Sequence, residues 1–301
     1  MTHIIDVLSA HGGLAHSSTL QADGVSLAMT RLAVARGDIV RIRQGWFALD
    51  TAPQALVNAV KVGGRLSCVS LLRLHGVWCV DDRLTHLSHT RRLTRLRAPN
   101  GTPLTRPERW GIRLHPARGS HDAARIVDSI DEALLSVFSC QARDDVIASI
   151  DSALNLGLTT MDRLSALPLS AEYRTYLELV DSAAQSGLES KARLGFRRRG
   201  IRCRSQVFIR GVGTVDLLIG DRLVIECDGI TWHSSAKAHD EDCRRDLELH
   251  RLGYIVIRVT YRQVMFDWAS IDEVVRGYVS RREHRWAARH RRAGLRSTCT
   301  V

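Results

Sequence analysis

The sequence predicts a mixed α/β chain of the α+β kind, built in three parts, and three observations carry that reading. Apolar residues recur at helical spacing in some stretches and in short strand-like runs in others, which fits neither an all-α nor an all-β chain. Glycine-bearing turns separate three such runs between residues 206 and 227. At 301 residues the chain exceeds the usual size of one domain, and parts are expected at 1–50, 51–168 and 169–301.

Residues 1–50 read as a small helical unit closing in a hairpin. Ile4, Ile5 and Leu8 share a helical face, and Ser17 and Ser18 offer an N-cap before Leu20. Gly24 breaks the chain. A second amphipathic segment then carries Leu27, Met29, Leu32 and Val34 and stops at Arg36-Gly37, a basic residue before a C-terminal glycine. Ile39, Val40 and Ile42 face Trp46, Phe47 and Leu49 across Arg43-Gln44-Gly45. Helix, helix-turn-helix and β-wing together make a winged helix.

Residues 51–168 are expected to form a mixed α/β middle domain. Leu66 to Leu74 is an apolar stretch, 91–119 is loop-rich and basic, and helical spacing returns with Ile130, Leu134, Phe138, Val146, Ile150 and Leu154. In the last part, 171–199 carries helical spacing. Strands follow at Gln206–Ile209, Thr214–Ile219 and Arg222–Cys227, then a helix over Asp240–Leu252, a strand over Tyr254–Val259 and a final helix over Ile271–Arg292. The order is α-β-β-β-α-β-α.

The 43 Lys and Arg outweigh 32 Asp and Glu, and all but three of the cations are arginines. Such a surface suits a partner of dense negative charge, and the arginine fork fits phosphate oxygens and guanine edges. Seven scattered cysteines, odd in number and never spaced CxxC, argue against both a zinc site and a disulfide framework and fit a reducing cytoplasm. The N-terminus lacks a signal-peptide layout, and no apolar run approaches the ~18 residues that span a bilayer.

Three acids stand in two otherwise apolar strands, in Val215-Asp216-Leu217 and Ile225-Glu226-Cys227-Asp228. Alternation gives Glu226 and Asp228 one strand face and turns Cys227 the other way. If the strands pair across Gly220-Asp221, Asp216 approaches Glu226. Clustered carboxylates repel and lose hydration unless a cation neutralises them, and hard oxygen donors select Mg²⁺ or Mn²⁺ over zinc. Further polar groups follow closely in Trp232-His233 and in Asp242, Arg245 and Asp246. These last three share one helical face, where Asp242 and Arg245 are spaced for an ion pair.

These residues carry a resemblance. Leu188-Glu189-Ser190-Lys191, Thr214 to Leu217, Val224 to Gly229 with His233, and Asp242, Arg245, Asp246, Leu249, Gly253, Tyr254, Val256 and Arg258 at their spacing resemble very-short-patch-repair-like endonuclease domains of the PD-(D/E)xK superfamily. The resemblance covers roughly 185–265. It implies a restriction-endonuclease-like α-β-β-β-α-β domain with Glu189 as the acid of the first helix, Asp216 and Glu226 as the metal pair, and Asp228 and His233 as further polar groups. The superfamily's E-x-K here reads Glu226-Cys227-Asp228. His233, or Lys237 from the loop, would take over the missing lysine's work, and Lys191 is expected to be solvated or to face phosphate.

At the other end, Gly12-Gly13-Leu14, Leu20, Gly24-Val25-Ser26, Arg31-Leu32 and Gly37 through Leu49 resemble the winged helix of type IV (abortive-infection) antitoxin-like regulators. That implies residues 26–36 in a DNA groove, with Arg31, Arg41 and Arg43 at the DNA. Arg197, Arg198, Lys237 and Arg245 are the DNA contacts expected in the last part.

Two functions follow. One is a divalent-metal-dependent endodeoxyribonuclease whose winged helix recruits or orients DNA. The other is an antitoxin-like regulator of a type IV toxin–antitoxin system with a non-catalytic nuclease-like domain. DNA is the partner of both, with a cognate toxin or repair and defence proteins as further partners.

Overall fold

The computed structural model describes residues 4–89, 96–118, 125–229, 236–295 and 299. Contacts divide the chain into two compact units, Met1–Gln141 and Ala142–Val301. Among the described residues, no helix is long and apolar enough to cross a membrane.

The first unit opens with α1 (Ile4–Ala10), β1 (Leu14–His16), α2 (Ser17–Ala22), α3 (Leu27–Arg36), β2 (Val40–Arg43) and β3 (Trp46–Ala48), the strands lying antiparallel in the order β1-β3-β2. Ile4, Leu8, Leu20, Val25, Ala33 and Ile39 form the core beneath them. Ser26 caps α3 by accepting from the Met29 amide, and Gly37, at φ +79°, ends it. Two details depart from the sequence reading. Ser17 and Ser18 lie inside α2, whose cap is the His16 ring accepting from the Ser18 amide at 3.3 Å. Leu14 to His16, directly after the Gly12-Gly13 turn, pairs with Phe47 and its neighbours as a third strand.

The same unit continues with α4 (Gln54–Val62), β4 (Arg65–Leu66), α5 (Cys68–Leu74), β5 (Thr85–His89), a 3-10 turn (Pro107–Trp110), β6 (Ile112–Pro116) and α6 (Ile130–Phe138). Here β5 is central, antiparallel to β4 and parallel to β6, and α5 packs on both β5 and α6. Ser129 and Glu132 close a capping box at the start of α6.

The second unit holds α7 (Arg143–Asn155), α8 (Met161–Ala166), α9 (Ala171–Leu177), α10 (Gly187–Arg198), β7 (Cys203–Ile209), β8 (Gly213–Ile219), β9 (Leu223–Asp228), α11 (Ala236–Arg251), β10 (Ile255–Thr260), α12 (Tyr261–Phe266), α13 (Trp268–Ser280) and α14 (Ala288–Arg292). The sheet runs β10-β9-β8-β7, an antiparallel meander with β10 added parallel to β9. One face packs Leu217, Ile219, Leu223 and Ile225 against Leu188, Ala192 and Phe196 of α10 and Ile271 and Val275 of α13. The other packs Val207, Val215, Leu218 and Val224 against Leu249, Tyr254 and Trp286. The fold is α+β, with the expected α-β-β-β-α-β order intact.

Periodicity alone overruns two helix ends. The helical spacing over 171–199 is two helices, because the Ser186 hydroxyl accepts from the Glu189 amide and starts α10 anew. The final helix likewise breaks after Ser280, where Arg282 takes φ +57°.

Candidate active site

The acids converge where β7, β8 and β9 meet α10. Glu189 is the third residue of α10, 3% exposed, and its Oε2 accepts from the Gln185 amide at 3.1 Å and from Gln206 Nε2 at 2.7 Å. Its helix is fixed from behind by buried Asp151 of α7, which accepts from Ser190 Oγ at 2.6 Å and Arg193 Nη2 at 2.8 Å. Lys191, expected to be solvated or to face phosphate, pairs instead with Asp145.

Across the sheet, Asp216 continues the register that pairs Leu217 with Ile225, which sets it opposite Glu226. Its Oδ2 takes the Cys227 amide at 2.7 Å, and its carboxyl shares a hydrogen bond with that of Glu226. Glu226 is 8% exposed and meets Arg245 of α11 at 3.5 Å. The guanidinium of Arg245 also donates to the Thr214 carbonyl. Arg245 is thus committed to the acids and not to its helix neighbour Asp242.

Gln206 explains how the acids are brought in. It stands opposite Asp216 in β7 with φ +50°, a conformation costly for a non-glycine residue, and its amide lies 3.5 Å from Asp216 Oδ1. Both strands change faces at this pair. Cys203 and Leu217 feed the α10 side, whereas Val207 and Val215 feed the α11 side. Strict alternation would leave Asp216 on the face of Leu218; the kink lets it reach the same amide that holds Glu189.

Burial dominates the electrostatics. It raises the proton affinity of Glu189, with the Asp216 charge adding to it, and it raises Asp216 against the stabilising Cys227 amide. Glu226 is pushed up to about 8, first by burial and then by Asp216, with Arg245 and Arg258 opposing. Three carboxyls whose proton affinities burial raises, beside a side-chain amide, form a hard oxygen donor set able to hold a small divalent cation.

The other expected residues fall in different places. Asp228 is exposed at the strand end, 3.0 Å from Arg258 Nη1, and Arg258 also grips Asp246 at 2.7 Å. His233 lies outside the described residues, as does the side chain of Lys237. Arg197 is exposed and lines a cavity of about 650 Å³ with Asp181, Arg193 and Arg202, which contains none of the acids. Arg198 pairs with Asp144. In the first unit, Arg31 and Arg41 are exposed, but Arg43 is half-buried and donates to the Val60 carbonyl near the end of α4 at 3.2 Å. The role of Gln206 was missed from sequence. Its one signal is its place in Cys203–Ile209 opposite the acid of the next strand, and Arg204 and Ser205 beside it are polar too.

The family model REase_MTES_1575 matches residues 189–276, a span that opens on Glu189 and contains Asp216, Glu226 and Arg245. Among solved structures, the homing endonuclease I-Bth0305I catalytic domain is 23% identical, over 31% of this chain and 94% of that one, with a TM-score of 0.28. No curated protein matches the chain.

Proposed function

We propose that the second unit is a divalent-metal-dependent endonuclease acting on DNA, with Mg²⁺ or Mn²⁺ held by Asp216 and Glu226. The observation that carries this is the convergence of buried Glu189 and Glu226 with half-buried Asp216 where β7, β8 and β9 meet α10, all three with raised proton affinities. A cation there would neutralise the acids and offset negative charge developing on a phosphodiester. The chain's own residues do the positioning. Gln206 holds Glu189 and Asp216 together, the Cys227 amide fixes one Asp216 oxygen, and Arg245 restrains Glu226. Arg258 keeps Asp228 and Asp246 paired beside them. His233 or Lys237 takes the place of the superfamily lysine in orienting or deprotonating water.

The first fifty residues act in this reading as a winged helix that recruits or orients DNA through Arg31 and Arg41. Support comes from the order α1-β1-α2-α3-β2-β3, the β1-β3-β2 sheet and the exposure of both arginines. One observation favours the second reading, an antitoxin-like regulator bound to DNA and to a toxin or defence partner: Cys227-Asp228 stands where the superfamily carries its lysine.

Cleavage of plasmid, linear and mismatched DNA by the desalted full chain, with and without added Mg²⁺ or Mn²⁺, tests the assignment. Asp216→Asn and Glu226→Gln each abolish metal-dependent cutting while the fold survives. Wild-type-rate nicking by the double variant, or no cutting by wild type with either metal on any of these DNAs, sinks the nuclease reading and leaves the regulator.

A further inference from the structure

The first unit contains a second polar centre that the nuclease reading does not use. Four side chains far apart in sequence, Cys68, His86, His115 and Cys140, bring one ligand atom each to within 4.8 Å of all the others. The first three are buried and Cys140 half-buried. We propose that they form a structural zinc site.

The fold aims all four at one point. His86 lies on β5 and His115 on the adjacent β6, in register with Ser88, so the two histidines share a sheet face. Cys68 is the first residue of α5, and Cys140 follows the end of α6, the two helices that pack together here. The Ser67 amide donates to the His86 carbonyl at 3.0 Å, and the His86 amide donates to Ser70 Oγ at 2.8 Å, pinning the start of α5 onto β5. Cys68 itself sits at φ +50°, a left-handed conformation that a non-glycine residue adopts only when its surroundings hold it there.

Distances and donors fit a tetrahedral ion. Zinc bonds of about 2.0–2.1 Å to nitrogen and about 2.3 Å to sulfur give tetrahedron edges of about 3.3 Å between nitrogens and about 3.6 Å between nitrogen and sulfur. His86 Nδ1 lies 3.1 Å from His115 Nε2 and 3.5 Å from Cys140 Sγ. On its far side, His86 Nε2 meets both Asp82 oxygens at 3.0 Å. A proton on Nε2 satisfies that carboxylate and leaves Nδ1 as a bare lone pair pointing into the cluster, the tautomer that binds a metal. A hydrogen-bond network alone serves this arrangement poorly, since one Nδ1 position faces two partners at once. Two thiolates and two imidazoles select zinc over the hard ions expected among the carboxylates. With four protein donors no coordination position stays open, so the ion fastens α5, β5, β6 and the end of α6 and performs no chemistry.

The expectation against zinc rested on the absence of a CxxC spacing, and it is the spacing argument that fails. Each ligand comes from a different element, so no short motif exists to be read.

Elemental analysis of the full chain, purified under reductant without chelator, tests the site. One zinc per chain is expected, retained through gel filtration and unchanged in the Asp216→Asn, Glu226→Gln double variant. Co²⁺ in its place should give the visible bands of a tetrahedral thiolate site. Asp82→Asn should weaken zinc binding roughly 10–100-fold, by loosening His86 without removing a ligand. Cys140→Ser should lose the Co²⁺ spectrum. If wild type takes up neither zinc nor Co²⁺, or if Cys68→Ser, Cys140→Ser protein keeps a full zinc equivalent, the proposal is overturned. Should ligand variants fail to fold, the wild-type metal content and Co²⁺ spectrum decide alone.

Discussion

Replacing Glu226 by Gln should stabilise the metal-free second unit, by an amount that grows steadily from pH 5 to pH 8.5. Burial and Asp216 raise the Glu226 carboxyl from 4.5 to about 8 in the folded protein. An acid raised on folding contributes its stability below the unfolded value and loses it as pH climbs through the folded value. Treated alone, Glu226 costs under about 1 kcal/mol at pH 5 and about 4–5 kcal/mol at pH 8.5, by proton linkage. Glutamine keeps the shape and carries no charge, so it escapes that cost. The Arg245 ion pair at 3.5 Å is already contained in that net shift, so the gain stays at about 4–5 kcal/mol at pH 8.5. For a unit of this size that is a rise in melting temperature of roughly 8–20 °C. Scanning calorimetry of desalted protein at pH 5 and 8.5 reads it directly, with the second unit's transition followed separately. Adding Mn²⁺ should raise wild type and leave the variant unmoved. A variant that melts no higher than wild type at pH 8.5, or gains equally at pH 5, refutes the claim that Glu226 is held against ionisation.

Gln206 should show its two roles in two substitutions: Gln206→Ala and Gln206→Gly both lose the amide between Glu189 and Asp216 and both cut DNA more slowly, but glycine accepts φ +50° and should be more stable than alanine by about 1–2 kcal/mol. Equal denaturation midpoints would mean that no strain is stored there. In the first unit, Arg31→Ala with Arg41→Ala should weaken duplex binding and flatten its salt dependence by about 0.9 per phosphate contact removed. Arg43→Ala should instead lower that unit's melting temperature and leave the salt slope alone, because its guanidinium serves the Val60 carbonyl. A salt slope that changes with Arg43 and not with the other two would reverse this assignment.

What could be read beforehand follows a physical divide. The α-β-β-β-α-β order and the pairing of Asp216 with Glu226 rest on local patterns: apolar runs of strand length, glycines at the turns, and a register set by the short Gly220-Asp221 turn. Those patterns repeat along the chain and are visible one segment at a time. Gln206 was invisible because its importance lies in a backbone angle and in a partner on another strand. Lys191 misled for a similar reason, since its partner Asp145 lies on α7, far from it in sequence. The cysteines give the sharpest case. Their scatter along the chain says nothing about Cys68 and Cys140 meeting two histidines once β5 and β6 have paired in parallel.

The parallel pairing of β9 with β10 also sets a timetable. Antiparallel neighbours are joined by tight turns, so β7, β8 and β9 can associate as soon as each leaves the ribosome, but a parallel neighbour must wait for its crossover. Here the crossover is α11, and only after it do Ile255–Thr260 come to lie beside Leu223–Asp228. Arg245 and Arg258, the cations that temper Glu226, both belong to this late segment. A nascent chain therefore carries Glu189, Asp216 and Glu226 well before it carries their counter-charges. Until translation passes Thr260 the three acids border an unfinished sheet edge, and a chain released early has the carboxylates without the assembly that makes them a site.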